Sequence, residues 1–202
     1  MGLVNSKMVD DLIRAKSQGN EHEFNCTIVA DNLRISNVDD FLSALKAIAH
    51  TYRVTIQAVD AELIAGAEHI QSAVQKALRA MKRNRNITSE LGLEILLYAA
   101  GKRQIERALE MGVRAGEQKV MIIIVDERGE KDLEVVAEEV KRKTGMAEVS
   151  IQDLKSYLDY DEHKKERIRD FFAITEDELN AVGEQKLKML VLERVALVDV
   201  LK

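Results

Sequence analysis

The chain has 202 residues, no proline, no tryptophan and one cysteine, with 35 acidic against 30 basic side chains. A lone cysteine, Cys26, excludes an internal disulfide and a cysteine-based zinc site. An aromatic content of 4% argues against a platform of stacked rings for nucleobases, and the core has to be built from Leu, Ile, Val, Ala and Met.

The chain is long enough to bury such a core without staples. Its longest aliphatic run, Val120 to Val125, is the length of a strand and too short to span a bilayer, and no secretory h-region is visible. A soluble, cytoplasmic protein with no membrane partner is expected. Gly2 to Ser6 fits the myristoylation frame, and Asn25-Cys26-Thr27 and Asn86-Ile87-Thr88 fit glycosylation sequons. Motifs this short recur by chance, and the sequons carry no meaning without secretion.

Residues 1–23 read as a polar N-terminal extension, and 24–202 as a single domain. Phe24 to Val29 is a first strand. Val38 to Ala49 is a helix capped by Ser36 or Asn37, with Val38, Phe41, Leu42, Leu45, Ile48 and Ala49 at helical spacing. Val54 to Val59 alternates as a second strand. Ala67 to Arg83 is a long amphipathic helix, broken by Asn84 to Asn86. Leu91 to Ala100 is apolar almost all round, which predicts a central helix, ended by Gly101.

Gln104 to Met111 is a short helix. Lys119 to Asp126 is a strand whose unbroken aliphatic run predicts burial on both faces. Asp132 to Lys143 is a charged helix ended by Gly145, and Glu148 to Ile151 is a fourth strand. Helices follow at 161–172, 175–182 and 185–201. This order predicts an α+β fold: a small mixed or antiparallel sheet of about four strands, a cluster of helices and a long C-terminal helix.

Catalytic motifs are missing. There is no phosphate-binding GxxxxGK[ST] loop, no GxGxxG, no GxSxG and no HExxH. His22, His50, His69 and His163 are scattered. The pairs Asp39-Asp40 and Asp159 with Asp161 read as solvated loop charges. A small phosphate-ligand enzyme would have to bring Glu94, His69 and Arg103 together in a cleft.

Charge is distributed unevenly. Between Ile70 and Arg107 eight cations face three carboxylates, inside a chain of net charge −5. At about 100° per residue, Ile70, Ala73, Val74, Ala77, Leu78 and Met81 share one helix face, while His69, Ser72, Lys76, Arg79 and Arg83 share the other. Arg85 and Asn86 extend this stripe. Lys102 and Arg103 follow the next helix. The stripe suits phosphate oxygens. Two plainer readings stand beside that one: cations complementing a helix C-terminus, and an ordinary charged solvent face. Glu94, among aliphatic neighbours, calls for a partner, expected in Lys102 or Arg103.

The last helix carries Leu187, Leu190, Val191, Val195 and Val198 in one stripe. Met189, Leu192, Ala196, Leu197, Val200 and Leu201 cover much of the rest. Apolar surface beyond a single stripe suggests either a partner or a central core helix; a homodimer formed through this helix is a further reading.

At these residues the chain resembles a known family. The carrying segments are Asp60-Ala61-Glu62-Leu63-Ile64-Ala65-Gly66 with His69, Ala73-Val74, Ala77-Leu78-Arg79-Ala80, Arg85-Asn86-Ile87 and Glu94-Ile95-Leu96-Leu97-Tyr98-Ala99. Gly101 with Arg103-Gln104-Ile105 follows, and Leu192-Glu193-Arg194-Val195-Ala196-Leu197-Val198 closes the series. They are similar to the kinase-binding accessory subunit of the KEOPS complex, the PRPK-binding protein family, in its archaeal form.

The resemblance implies an α+β subunit with no catalytic residues, cofactor or metal, and with no need of homo-oligomers. Such a subunit binds and stimulates the small atypical kinase of KEOPS in threonylcarbamoyladenosine (t6A) modification of tRNA, and recruits tRNA through its 3′ CCA end. Carried over, it implies Leu187, Leu190, Val191, Arg194, Val195 and Val198 as the kinase side, and Arg79, Arg85 and Arg103 on tRNA. The stripe geometry adds Lys76, Arg83, Asn86 and Lys102. One departure is Asn84, where many relatives carry glycine.

Overall fold

The computed structural model describes residues 24–147, 156–183 and 186–200. The expected extension at 1–23 and the expected strand at Glu148–Ile151 lie outside the described residues. The elements are β1 (Asn25–Ile35), α1 (Val38–Tyr52), β2 (Thr55–Asp60), α2 (Ala67–Lys82), α3 (Leu91–Ala99), α4 (Ile105–Leu109), β3 (Gly116–Asp126), α5 (Leu133–Thr144), α6 (Glu162–Phe172), α7 (Glu176–Val182) and α8 (Leu187–Val200), with one 3-10 turn at Ala61–Leu63. The fold is α+β, with three strands among the described residues where about four were expected. The chain divides into two compact units, Met1–Ala58 with Val113–Lys155, and Val59–Gly112 with Ser156–Lys202.

The first unit is built on a sheet of order β1-β3-β2. β1 runs antiparallel to β3 over its whole length, from Asn25 opposite Asp126 to Ile35 opposite Gly116. It continues six residues beyond the expected end at Val29. Asp31-Asn32 looks like a break, yet an outer strand tolerates polar side chains on its open face, and Asp31 accepts the amides of Asn32 at 2.7 Å and of Ala147 at 2.8 Å. β3 is central, and Val120 to Val125 are fully buried on both faces, as the unbroken run predicted. Val120, Ile122 and Ile124 join Val29, Leu33, Leu45, Ile48, Val136 and Val140 in one core.

Two carboxyl or carboxamide groups organise the loops of this unit. Asn37 caps α1 by accepting the amides of Asp39 and Asp40. Asp126 is buried at the end of β3 and accepts the amides of Glu130 at 2.7 Å and Lys131 at 2.8 Å. Burial pushes its carboxyl up, but these bonds and the Lys131 charge outweigh burial and hold it below the usual carboxylate range.

The second unit is helical. The segment Asp60–Gly66 is buried throughout. Asp60 accepts the Glu62 amide at 3.0 Å and pairs with Arg167 of α6 at 2.8 Å. Tyr160 donates to the Ala65 carbonyl at 2.9 Å, and the buried Lys164 donates to the Tyr157 carbonyl at 2.5 Å. These bonds replace the water such groups lose on burial. α3 is buried nearly all round, as its composition predicted. α8 packs on α2, α3 and α6.

Candidate functional site

All the residues expected to bind ligands fall in the second unit. The core face of α2 is as read: Ile70, Ala73, Val74 and Ala77 are buried. On the other face Arg79 and Arg83 are exposed, and Lys76 is half-buried. His69 departs from that face. Its ring is fully buried, the Ala65 amide donates to Nδ1 at 3.0 Å, and Nε2 donates to the Ala99 carbonyl at 2.8 Å. The early part of the helix is covered on more than one side, so a period of 3.6 misplaces it. Burial pushes the imidazole down to about 4, and the nearby Lys164 charge adds to this against the opposing Ala99 bond.

That shift has a measurable consequence. The folded state prefers neutral His69, so its contribution is complete above the unfolded value of about 6.5 and is lost as pH falls from there toward 4. The loss should reach roughly 3 kcal/mol. Urea unfolding at pH 7.5 and 4.5 should show it, and His69→Gln should flatten that part of the profile. An unchanged slope in the variant would remove His69 from the account.

The two basic turns are the same device built twice. After α2, the Asn84 amide donates to the Met81 carbonyl at 3.1 Å and the Arg85 amide to Ala80 at 2.9 Å, with Asn84 at φ 52°. After α3, the Gly101 amide donates to Tyr98 at 3.0 Å and the Lys102 amide to Leu97 at 3.0 Å, with Gly101 at φ 62°. Both are Schellman endings, and asparagine is the usual substitute for glycine in that left-handed position. Asn84 therefore preserves the turn that glycine would make. Arg83, Arg85, Lys102 and Arg103 all sit at helix C-termini, where a cation is favoured whatever else it binds.

Glu94 is fully buried, and its partners correct the expectation of Lys102 or Arg103. Its Oε2 accepts the Ile87 amide at 2.9 Å and the Thr88 amide at 3.1 Å. The carboxylate thus ties the first basic turn to α3. Arg103 is exposed, while Glu94 and His69 are sealed. These three residues do not form an open catalytic cleft. Asn86 is half-buried and donates to the Thr88 carbonyl at 2.9 Å, which shapes the turn. The Lys102 ammonium lies 5.7 Å from the centre of the Phe171 ring, a cation–π contact.

The last helix reverses the expected sides. Leu187, Leu190, Val191, Val195 and Val198 are buried in the chain's own core. Arg194 is half-buried, pairing with Glu178 at 2.5 Å and donating to the Phe172 carbonyl at 3.4 Å. Arg194, with Thr175, holds the Glu178 carboxyl down at about 2. The five aliphatic side chains of this set are turned into the chain's own core, and Arg194 is partly covered. The outward face carries Met189, 60% exposed, Leu197, 36%, and Val200, 74%, with Glu193 and Ala196 between them. Their spacing, 189, 193, 196, 197 and 200, is one helical stripe.

A family model described as kinase binding protein CGI-121 matches residues 33–199, which include nearly all of this helix and both basic turns. The chain belongs to the CGI-121 family. No curated protein matches it. The CGI-121 match spans both units and includes the exposed α8 residues Met189 and Leu197.

Sequence reasoning missed Tyr98 and Asp199. Tyr98 Oη donates to Asp199 Oδ1 at 2.5 Å, and Lys76 Nζ pairs with Asp199 Oδ2 at 3.0 Å. A tyrosine beside the leucines and isoleucine of α3 is the available signal, because a buried hydroxyl requires an acceptor. Among the described residues no His, Cys, Asp and Glu cluster could hold a metal ion, and no helix is long and apolar enough to cross a membrane.

Proposed function

We propose that the chain is a non-catalytic accessory subunit that binds and stimulates the small atypical kinase of KEOPS. In this reading it also recruits tRNA through the 3′ CCA end for threonylcarbamoyladenosine modification. The CGI-121 family match over residues 33–199 carries the kinase half. The apolar stripe Met189–Val200 supports it as the docking side, since an exposed aliphatic row on a packed helix is unusual without a partner. Mixing the two purified proteins should give a stoichiometric complex on size-exclusion chromatography. Two folded proteins that never associate would sink the reading.

The tRNA half rests on the exposed cations Arg79, Arg83, Arg85 and Arg103, around the two basic turns. Phosphate recognition by these side chains needs no stacking rings. Arg79→Glu and Arg103→Glu should each weaken tRNA binding by roughly tenfold and make the salt dependence shallower by about one phosphate contact or more. Equal affinity for tRNA with and without its CCA end would remove end recognition. A fully salt-independent affinity would remove the phosphate grip.

A further inference from the structure

We propose that Asp199 masks Lys76: this cation belongs to the phosphate stripe by position and is withheld from it by the last turn of α8. The inference deepens the tRNA reading above and rests on it. Lys76 lies three residues before Arg79 and seven before Arg83, which puts all three on one face of α2. Arg79 and Arg83 are exposed, whereas the Lys76 side chain is 19% exposed and its Nζ sits 3.0 Å from Asp199 Oδ2.

The mask is anchored. The other oxygen of Asp199 accepts the Tyr98 hydroxyl at 2.5 Å, from a residue that is itself buried in α3. For the carboxylate to swing aside, this hydrogen bond must break along with the ion pair. It also places a negative charge where the next phosphate along the stripe would arrive. In the resting chain, then, the stripe begins at Arg79, and Lys76 adds a contact only when Asp199 is neutralised or displaced. Asp199 neighbours Val200, the most exposed of the large hydrophobic side chains among the described residues. One helical turn therefore holds both the mask and the end of the apolar stripe, so a partner seated on that stripe touches the element that governs Lys76.

The test is tRNA binding against salt for the wild type, Asp199→Asn, Lys76→Met and the double variant. Asp199→Asn keeps the shape and the acceptor for Tyr98 while removing the charge. It should bind tRNA about tenfold tighter at low salt, with a dependence steeper by close to one phosphate contact. Lys76→Met alone should weaken binding by less than Asp199→Asn strengthens it, because it only bares the Asp199 charge, and added to Asp199→Asn it should abolish the whole gain. The mask is overturned if Lys76→Met weakens the otherwise wild-type chain as much as it weakens Asp199→Asn. It is equally overturned if the gain survives without Lys76, which would make it general charge relief. Should Asp199→Asn fail to fold, Tyr98→Phe loosens the anchor without altering any charge, and its gain must likewise vanish with Lys76→Met. Wild type that binds tRNA with no gain in either variant overturns the mask alone. Absence of tRNA binding by every variant removes the tRNA reading and the mask with it.

Discussion

Leu197→Glu combined with Val200→Glu should abolish capture of the kinase while leaving the fold intact. Both side chains lie on the outward stripe of α8, at 36% and 74% exposure, so a carboxylate there stays in water in the free chain. On docking, the same carboxylates would be buried against an apolar surface without partners. Each central contact of this kind is worth about 2 kcal/mol or more, so the pair should weaken binding by roughly a thousandfold. Calorimetric titration reads the affinity, and thermal unfolding checks the fold. Val195→Glu is the contrast: Val195 is fully buried, and its variant should lose binding only because the second unit unfolds. Wild-type affinity in the double variant would move the docking surface elsewhere.

Gly101→Ala should be among the most damaging single-methyl changes in the chain. The residue sits at φ 62°, where any Cβ is strained, and a Cβ built there lies 3.0 Å from Arg194 Cβ and 3.3 Å from the Arg194 carbonyl carbon. The first obstacle costs about 1 kcal/mol. The second pushes against the main chain of α8, which cannot rotate aside, and overpacking of that kind costs about 1–3 kcal/mol more. The midpoint of thermal unfolding should fall by roughly 5–15 °C. Gly145→Ala separates the two terms, because Gly145 has φ 74° but nothing within 4 Å of an added Cβ. It should show the backbone cost alone. If the two variants lose the same stability, close approach to α8 is not what position 101 requires.

Much of the fold was legible because its signals are local. The run Val120–Val125 can only be a strand buried on both faces, and the amphipathic period of 67–82 sets the core side of α2. Asn84 and Gly101 mark two helix ends through the same left-handed requirement. The failures come from contacts distant in sequence. His69 and Glu94 are polar groups hydrogen-bonded to main-chain atoms, and a main-chain partner leaves no trace in residue identity. The outer strand β1 runs past Asp31-Asn32 because pairing with β3 is fixed by the partner strand, not by its own composition.

The side of α8 that faces inward was illegible for a different reason. Apolar side chains cover both of its sides, and three of its four charges, which normally mark the solvent side, are engaged with other elements. Lys188 pairs with Glu68 at 2.7 Å, Arg194 with Glu178 at 2.5 Å, and Asp199 with Lys76 at 3.0 Å.

Those three pairs have a consequence for how uniquely the chain folds. A helix coated almost evenly with aliphatic side chains can roll about its own axis, or slip by a turn, with little change in buried area. Three ion pairs, spaced along the helix and held by two other helices, act as teeth that admit one rotation and one offset. Partly buried pairs of this sort add little net stability over apolar replacements. Their effect here is to make a single apolar stripe face outward in every copy of the molecule, so replacing all three by leucines should yield a chain that is still compact but presents a mixture of faces.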